Sequence, residues 1–547
     1  MRLTGKLLAG AALIIPLATG ACDNNVRVAT HAKLEILDPI YTTAYITRNH
    51  GYLVYDTLFA LDQNFEPKPQ MVDSYTTSPD GTTWTFVLRP GLKWHDGTNV
   101  TAEDCVASLQ RWAKRDGLGQ ELFKDVQSLT APDAKTIVMQ LKQPSGLVLE
   151  GLAKNSANVP FMMPKRIADT DPNTPIQDAT GSGPYVFQAD KFVSGSQAIY
   201  KKNQAYVPRA GKSSLAAGGK IAKTEQIGLI YYGDQAKAAE ALRKDDIQYL
   251  EGPSRKSVTQ LVGKDHIIVA NTDSLGNVGM VRFNSQQPPF NNVAVRRAVL
   301  MTINQTQYMQ TVLGDPRFYR VCYSIYPCGT PMANDAGNAI LQTANLEEAQ
   351  KALRASGYRG APVVVLNPTD TPVLAALTMV TVENLRKIGM TVEVRDMSFE
   401  TMTRERTVKG PVSQGGWSMF HTLWQAGDID DPLAIAFSGD AAKGWPGAPN
   451  DPQLEQLRLA FARATTLGQK KEIAAKVQDR ILALGALGTL GQWFEPVAFR
   501  DNMVGITSPI QFYWTLYRTT QHDTAQDYKD FPGRIEGQFQ QEWVGYW

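Results

Sequence analysis

The segment that decides the fold runs from Trp84 to Trp112 and reads WTFVLRPGLKWHDGTNVTAEDCVASLQRW. Apolar residues alternate with polar ones as far as Leu88, which predicts a strand with one buried face. The Pro-Gly pair that follows predicts a turn, and a second short alternation ends at an Asp-Gly turn. The segment therefore predicts two short strands joined by tight turns.

A helix is predicted to begin directly after these turns. Thr101 suits the N-cap position, and Glu103 and Asp104 place negative charge in the first turn. Apolar residues then recur at helical spacing up to Trp112. Nothing in this unit has catalytic chemistry, and Trp94, His95 and Asp96 are expected to pack a turn.

Length and composition indicate a globular protein of two or three domains. The chain has 547 residues, of which 43% are hydrophobic and 20% charged, and it is too long for a single core. Removing residues 1–21, with Arg2 and Lys6, leaves 53 basic and 53 acidic residues. This balance gives no reason to expect a nucleic acid or an anionic membrane as partner.

The N-terminus predicts export from the cytoplasm. Two basic residues precede an apolar run from Leu7 to Leu17, which is too short to span a bilayer and is typical of a cleaved signal. Cys22 then stands where a bacterial lipoprotein carries its acylated cysteine, although Thr19 replaces the usual Leu. Lipidation of Cys22 and cleavage to a soluble periplasmic form are the two alternatives.

Export also implies an oxidising compartment. Cys322 and Cys328 enclose five residues and are predicted to form a disulfide, with a pair of buried thiols as the alternative. Cys105 lies in the predicted helix and is interpreted as a packed core residue.

Several separated motifs give the chain a family resemblance. Besides the opening segment, these are the LDP that ends at Pro39, GSGPY at 181–185, PPF at 288–290, VRRA at 295–298 and GDIDDP at 427–432. In this order they resemble the extracellular solute-binding proteins of family 5, the peptide and nickel group that serves ABC importers. The resemblance covers nearly all of the mature chain.

The resemblance implies a two-lobe α/β fold of the periplasmic-binding-protein type, with a hinge and an extra strand-rich subdomain. The chain would cross between the lobes twice, and the crossings would form the hinge. A signal peptide would occupy residues 1–21. The predicted domains are lobe I (26–55, 181–272 and 507–547), the extra subdomain (56–180) and lobe II (273–506).

The same resemblance points to a ligand site. Asp428 matches the aspartate that holds the ligand's α-ammonium group in dipeptide-binding members, and Trp424 resembles the aromatic residue beside the ligand. This chain has three residues between the two positions where the dipeptide pattern has two. Trp417 is a further candidate, and the alternative is that both Trp side chains belong to the core and Asp428 caps a loop. Tyr45 and Asn49 are expected to face the cleft, unless they belong to a surface helix.

One departure from the family pattern bears on the ligand. Dipeptide-binding members carry an Arg before a Pro where this chain has Asp370-Thr371-Pro372. A ligand carboxylate would then need another partner, such as Arg404 or Arg406. With Asp370 and Asp428 both near the cleft, we expect a ligand with more positive charge or a longer peptide.

The predicted role is therefore the capture of a peptide or a related amine-bearing solute in the periplasm by a monomer, for delivery to an inner-membrane ABC permease and its ATPase. No catalytic residue, metal or cofactor is predicted, since the six His residues form no HExxH motif and no GxSxG motif occurs. His421 lies near the predicted cleft, so a metal-chelate ligand stays an alternative. Two competing hypotheses are a binding protein that reports to a membrane sensor and a periplasmic peptidase.

Overall fold

The computed structural model describes residues 25–520. It contains two large mixed sheets, a smaller antiparallel sheet and surrounding helices, which agrees with the predicted α/β class. The α-helices are Tyr45–Val54, Ala102–Arg115, Gly117–Asp125, Leu147–Leu152, Lys165–Ala168, Gln235–Arg243, Arg255–Leu261, Val293–Leu300, Gln305–Leu313, Ala339–Gln342, Leu346–Ala355, Pro372–Lys387, Phe399–Glu405, Pro452–Arg463 and Leu467–Leu484.

The first large sheet forms the framework of lobe I. Its strands in spatial order are Ile267–Ala270, Val497–Arg500, Tyr249–Glu251, Asn25–Ala29, Gln226–Ile230, Gln197–Lys202 and Tyr185–Phe187. Because Val497–Arg500 lies inside this sheet, the chain has already returned to lobe I before residue 507. The boundary placed at 507 from the sequence is therefore late.

The second large sheet forms lobe II and has its own apolar core. Its strands in spatial order are Tyr319–Arg320, Leu487–Trp493, Asn277–Phe283, Met419–Gln425, Val363–Pro368 and Val392–Met397. The long helix Pro372–Lys387 connects the strands Val363–Pro368 and Val392–Met397, which run parallel because the helix crosses over between them.

The opening segment lies in a four-stranded antiparallel sheet that shares its core with lobe I. The strands are Val72–Thr77, Thr83–Leu88, Thr136–Leu141 and Val126–Thr130. The predicted helix is present, and Thr101 and Asp104 form a reciprocal capping box at its start. The predicted second strand is reduced to one bridge between Lys93 and Asn99, because the two turns follow each other too closely for a longer pairing.

The remaining strands form two short pairs, Phe59–Leu61 with Pro67–Pro69 and Met503–Val504 with Tyr517–Arg518. Cys322 and Cys328 form the predicted disulfide, with a Cα–Cα distance of 5.9 Å. Cys105 is a buried free thiol, as interpreted from the sequence. No helix within residues 25–520 is both long and apolar enough to cross a membrane. Cys22 lies outside the described residues.

Candidate functional site

Two chain crossings join the large sheets, in agreement with the predicted hinge. Residues 271–276 lead from Ile267–Ala270 to Asn277–Phe283, and residues 494–496 lead from Leu487–Trp493 back to Val497–Arg500. The crossings run side by side, since the strands before and after them are paired antiparallel on both sides. Any ligand site between the lobes must lie next to them.

A cavity of about 170 Å³ lies beside these crossings. Lobe I, lobe II and the extra subdomain all contribute to its wall. Its volume is below the roughly 300–1,000 Å³ of most small-molecule pockets, which favours a compact solute. The acidic, basic and histidine side chains that line it are His31, Arg48, Glu251, Asp273, Asp430 and Glu495.

The helix Tyr45–Val54 presents polar side chains to this cavity. Every residue from Ile46 to Val54 is buried, although several of them are polar. The C-terminal end of the helix is held by the GSGPY loop, where the Gly183 N–H donates to the Val54 carbonyl at 2.8 Å. A Cβ on Gly181 would overlap the same carbonyl, so only glycine permits this approach.

The same loop joins the helix to the opening segment. The His95 N–H donates to the Gly181 carbonyl at 2.8 Å, and its ring nitrogen Nε2 lies 3.1 Å from the Gly183 carbonyl. Trp94 donates from Nε1 to Asp104 at 3.1 Å. These side chains pack a turn, as the sequence predicts, and they support the helix from behind.

Asp428 connects the three parts of the molecule. Its carboxylate accepts a short hydrogen bond from the Tyr45 hydroxyl of lobe I and one from the Ser156 hydroxyl of the extra subdomain, the latter at 3.0 Å. Burial and the Asp428 charge raise the pKa of Tyr45, so its hydroxyl stays protonated and able to donate. Asp428 itself contributes to closure and does not line the cavity.

Asp430 does line the cavity, although it is not among the candidate residues from the sequence. No other residue in the described range 25–520 gives its side chain a hydrogen bond or an ion pair. Burial raises the pKa of Asp430, and the neighbouring Asp431 and Asp428 charges raise it further. A buried carboxylate among other carboxylates is costly to ionise unless a cation joins it.

The crossings add two more carboxylates to the cavity wall. Glu495 is an exposed residue of this wall, and partial desolvation together with the charges of Asp273 and Glu251 raises its pKa. Burial also raises the pKa of Asp273, although its carboxylate accepts hydrogen bonds at 2.8 Å from the N–H groups of Leu275 and Gly276. Within residues 25–520, Glu495 has no side-chain hydrogen bond or ion pair.

Among the four cavity carboxylates, Glu251 is the one that pairs with a basic side chain. It accepts from the Tyr513 hydroxyl at 2.5 Å and lies 2.7 Å from Nδ1 of His31. Burial opposes ionisation, but His31 and these hydrogen bonds lower the pKa of Glu251 overall. Burial alone would lower the pKa of His31, and the Glu251 charge raises it instead. The cavity wall therefore holds more acidic than basic side chains.

The remaining predicted site residues lie away from the cavity. Of the eight side chains proposed from the sequence, Tyr45 and Asn49 line it. Trp424 packs against Trp445 with ring centroids 5.3 Å apart, and Trp417 is 1% exposed and packs on Phe420. Both Trp side chains thus contribute to a small apolar cluster of lobe II.

His421 is a buried structural residue. Its ring nitrogens lie 3.0 Å from the Thr378 hydroxyl and 2.7 Å from the Thr381 hydroxyl, both on the long helix of lobe II. Burial lowers the pKa of His421 to about 3, so the ring is neutral. No group of three or more His, Cys, Asp or Glu within residues 25–520 is arranged to hold a metal ion.

The polar residues proposed for the region where dipeptide-binding members carry an arginine also make other contacts. Asp370 accepts from the Phe399 N–H at 2.7 Å, and Arg404 pairs with Glu400 at 3.3 Å on an exposed helix. Arg406 lies over the rings of Phe420 and Trp445 at 5.4 Å. None of the three lines the cavity.

Comparison with known proteins places the chain in a recognised group. A family model described as bacterial extracellular solute-binding proteins, family 5 Middle, matches residues 66–444. A probable peptide ABC transporter periplasmic-binding protein, y4tO of Sinorhizobium fredii, is 30% identical over 94% of this chain and 98% of that protein. The glutathione-binding protein GsiB of Pectobacterium atrosepticum is 24% identical over 83% of this chain and 86% of that protein.

Solved structures share the fold. A dipeptide-binding protein from Pseudoalteromonas in complex with Met-Leu aligns with a TM-score of 0.70 and 18% identity, over 90% of this chain and all of that one. The binding protein AgaA of Agrobacterium tumefaciens in complex with agropinic acid aligns with a TM-score of 0.70 and 19% identity, over 91% of this chain and 99% of that one.

Proposed function

Because the chain belongs to the family 5 bacterial extracellular solute-binding proteins, we propose that it captures a compact amine-bearing solute of the peptide type between its lobes. The solute is delivered to an ABC permease driven by its ATPase. The observation that carries the choice of ligand is the carboxylate of Asp430, which is half-buried and unpartnered among residues 25–520, in an interlobe cavity whose wall holds more acidic than basic side chains. A primary ammonium group supplies the missing cation and three hydrogen-bond donors.

Closure follows from contacts that only the closed form makes. Asp428 joins Tyr45 and Ser156 across the cleft, and Lys470 of lobe II pairs with Glu150 of the extra subdomain. A ligand shifts the protein towards the closed form because it binds that form more tightly than the open form. We propose that Asp428 adds its charge to the field that attracts the ligand's amine. Binding and release, without any chemical step, complete the role of this monomer.

Native mass spectrometry and calorimetry test this proposal. Purified protein is expected to carry a small amine-bearing solute, and a panel of dipeptides and amines is expected to contain tight binders. Asp428→Asn keeps a hydrogen-bond acceptor but removes the charge, so affinity for amines should fall. Asp440→Asn is the matched control, because Asp440 accepts only local backbone hydrogen bonds in an exposed loop. Equal affinity of the two variants would contradict the role of Asp428, and a panel without binders would contradict the ligand class.

Anchoring at Cys22 is proposed on sequence grounds alone. A lipidated mature chain would begin at Cys22 with an acyl-bearing mass and would fractionate with membranes, whereas a soluble form would lack both features. The intact mass of the periplasmic protein distinguishes the two.

A further inference from the structure

Arg48 is a buried cation that faces the cavity. Its residue is 8% exposed, and it lies on the helix Tyr45–Val54 between Tyr45 and Asn49. It forms no ion pair with any carboxylate in the described part of the chain. Its charge helps to lower the pKa of Asp273 against the larger effect of burial.

Other buried arginines of this protein show how such a group is normally satisfied. Arg111 pairs with Asp38 at 2.7 Å and also donates to backbone carbonyls. Arg282 donates to four backbone carbonyls, and Arg296 donates to those of Phe290 and Leu484. Arg48 has neither a carboxylate nor a backbone carbonyl as partner among residues 25–520, so the structural explanation that fits the others does not fit it.

The guanidinium of Arg48 is nevertheless held in place. Its Nε and Nη2 atoms donate to Oδ1 of Asn49 at 3.2 and 3.1 Å, and its Nη1 atom lies 3.5 Å from the Ser156 hydroxyl. The planar group lies over the Tyr45 ring at 4.9 Å.

Asn49 is fixed in turn, because its Nδ2 donates to the Tyr513 hydroxyl at 3.3 Å, and Tyr513 donates to Glu251. Asn49 is therefore a positioning residue. A guanidinium has five N–H donors, so donors on both Nη atoms stay available to the cavity.

We propose that Arg48 binds a carboxylate of the ligand, while the unpartnered Asp430 and Glu495 receive its cationic groups. A ligand that satisfies all three is a compact zwitterion with surplus positive charge, and a dipeptide with an N-terminal basic residue has this chemistry. The assignment rests on the proposed function, since it specifies the solute within that class. It also supplies the carboxylate partner that the Asp370-Thr371-Pro372 segment lacks.

The test compares Lys-Xaa dipeptides, with every natural amino acid at Xaa, and their C-terminal amides. Affinities are measured by native mass spectrometry and calorimetry on the full mature protein. Wild type should bind the free acids about 10- to 100-fold more tightly than the amides, as expected for a charge-assisted hydrogen bond to a guanidinium. In Arg48→Gln this ratio should fall to about one, and in Asn49→Ala it should fall part of the way.

Arg115→Gln is the matched control, because Arg115 also lies over a tyrosine ring at 4.9 Å but outside the cavity. It should leave the acid-to-amide ratio unchanged. Arg48→Lys keeps the charge but loses the planar fork, so it should retain only part of the preference.

Each outcome has a defined meaning. If wild type binds acids and amides equally, or if Arg48→Gln weakens both by the same factor, the assignment of Arg48 is wrong while the proposed function stands. If wild type binds neither set, the proposed ligand class itself is contradicted. The wild-type comparison needs no variant, so poor folding of Arg48→Gln would not prevent a decision.

Discussion

Replacing Asp430 by Asn exchanges one carboxyl oxygen for an amide nitrogen and removes a half-buried titratable group. Because Asp430 has no partner among residues 25–520, the substitution breaks no hydrogen bond with another described residue. It should therefore affect the ligand-bound and ligand-free states in opposite directions. The affinity for an amine should fall, and the free protein should become more stable.

The expected loss of affinity follows from the free energy that a hydrogen bond to a charged group contributes, about 1.5–3 kcal/mol. Since about 1.4 kcal/mol corresponds to a factor of ten, Lys-Xaa dipeptides should bind roughly 10- to 140-fold more weakly. The change in stability follows from the raised pKa of Asp430. Between the unfolded pKa and the higher folded pKa, the folded state holds more protons, so rising pH lowers the free energy of unfolding. Asn does not titrate, and above this range the variant should unfold at a higher temperature than wild type.

Calorimetry at neutral pH measures the affinity, and thermal unfolding over a series of pH values measures the change in stability on the same preparation. Asp440→Asn again serves as the control and should change neither quantity. Unchanged affinity would show that Asp430 does not meet the ligand's cation. A ligand-free variant that is less stable than wild type would show that the Asp430 carboxylate has a stabilising partner, which would contradict the premise that it is unpartnered in the free protein.

Further expectations concern protons, the glycine loop and the disulfide. Because burial and the neighbouring Asp431 and Asp428 charges raise the pKa of Asp430, binding of a Lys-Xaa dipeptide in mildly acidic buffer should release protons; a binding heat independent of the buffer's ionisation enthalpy would contradict this. Gly181→Ala forces a Cβ against the Val54 carbonyl and should cost about 1–3 kcal/mol of stability, measured by urea unfolding, and weaken binding by displacing the helix; unchanged unfolding and affinity would refute the close approach. Cys322→Ser with Cys328→Ser opens a loop with a sequence separation of 6 and should cost about 2 kcal/mol of stability. Its ligand affinity should match wild type, and a large loss would tie the disulfide to the cavity.

Local features of the fold were predictable because their causes are local. Thr101 and Asp104 stand three residues apart and close a capping box whatever surrounds them. The short spacing of Cys322 and Cys328 in an exported chain similarly indicated a disulfide. The strand at Thr83–Leu88 followed from its alternation, whereas the second alternation was overruled by two adjacent turns.

The cavity was less predictable because it is assembled across the lobes. The family resemblance pointed to Asp428 and Trp424, but it could not show that Asp428 is engaged by Tyr45 or that Trp424 packs on Trp445. Arg48 and Asp430 were missed. A signal for Arg48 was present, since four consecutive polar residues, Thr47 to His50, interrupt a helix that is otherwise rich in apolar and aromatic residues. Asp430 had no comparable signal, because each of several acids in one loop is usually solvated.

The paired crossings restrict how the lobes can move. A single connecting strand would allow the lobes to twist as well as bend relative to each other. Two adjacent antiparallel connections restrict the twisting and leave mainly the bending motion. They leave a single soft rotation, with its axis running through the segments that carry Asp273 and Glu495. A ligand bound beside the crossings restricts one rotation of the lobes rather than several. Little of its binding free energy is therefore lost in ordering the protein. The atoms on the axis hardly move as the lobes close, which keeps Asp273 and Glu495 in place in both the open and the closed form.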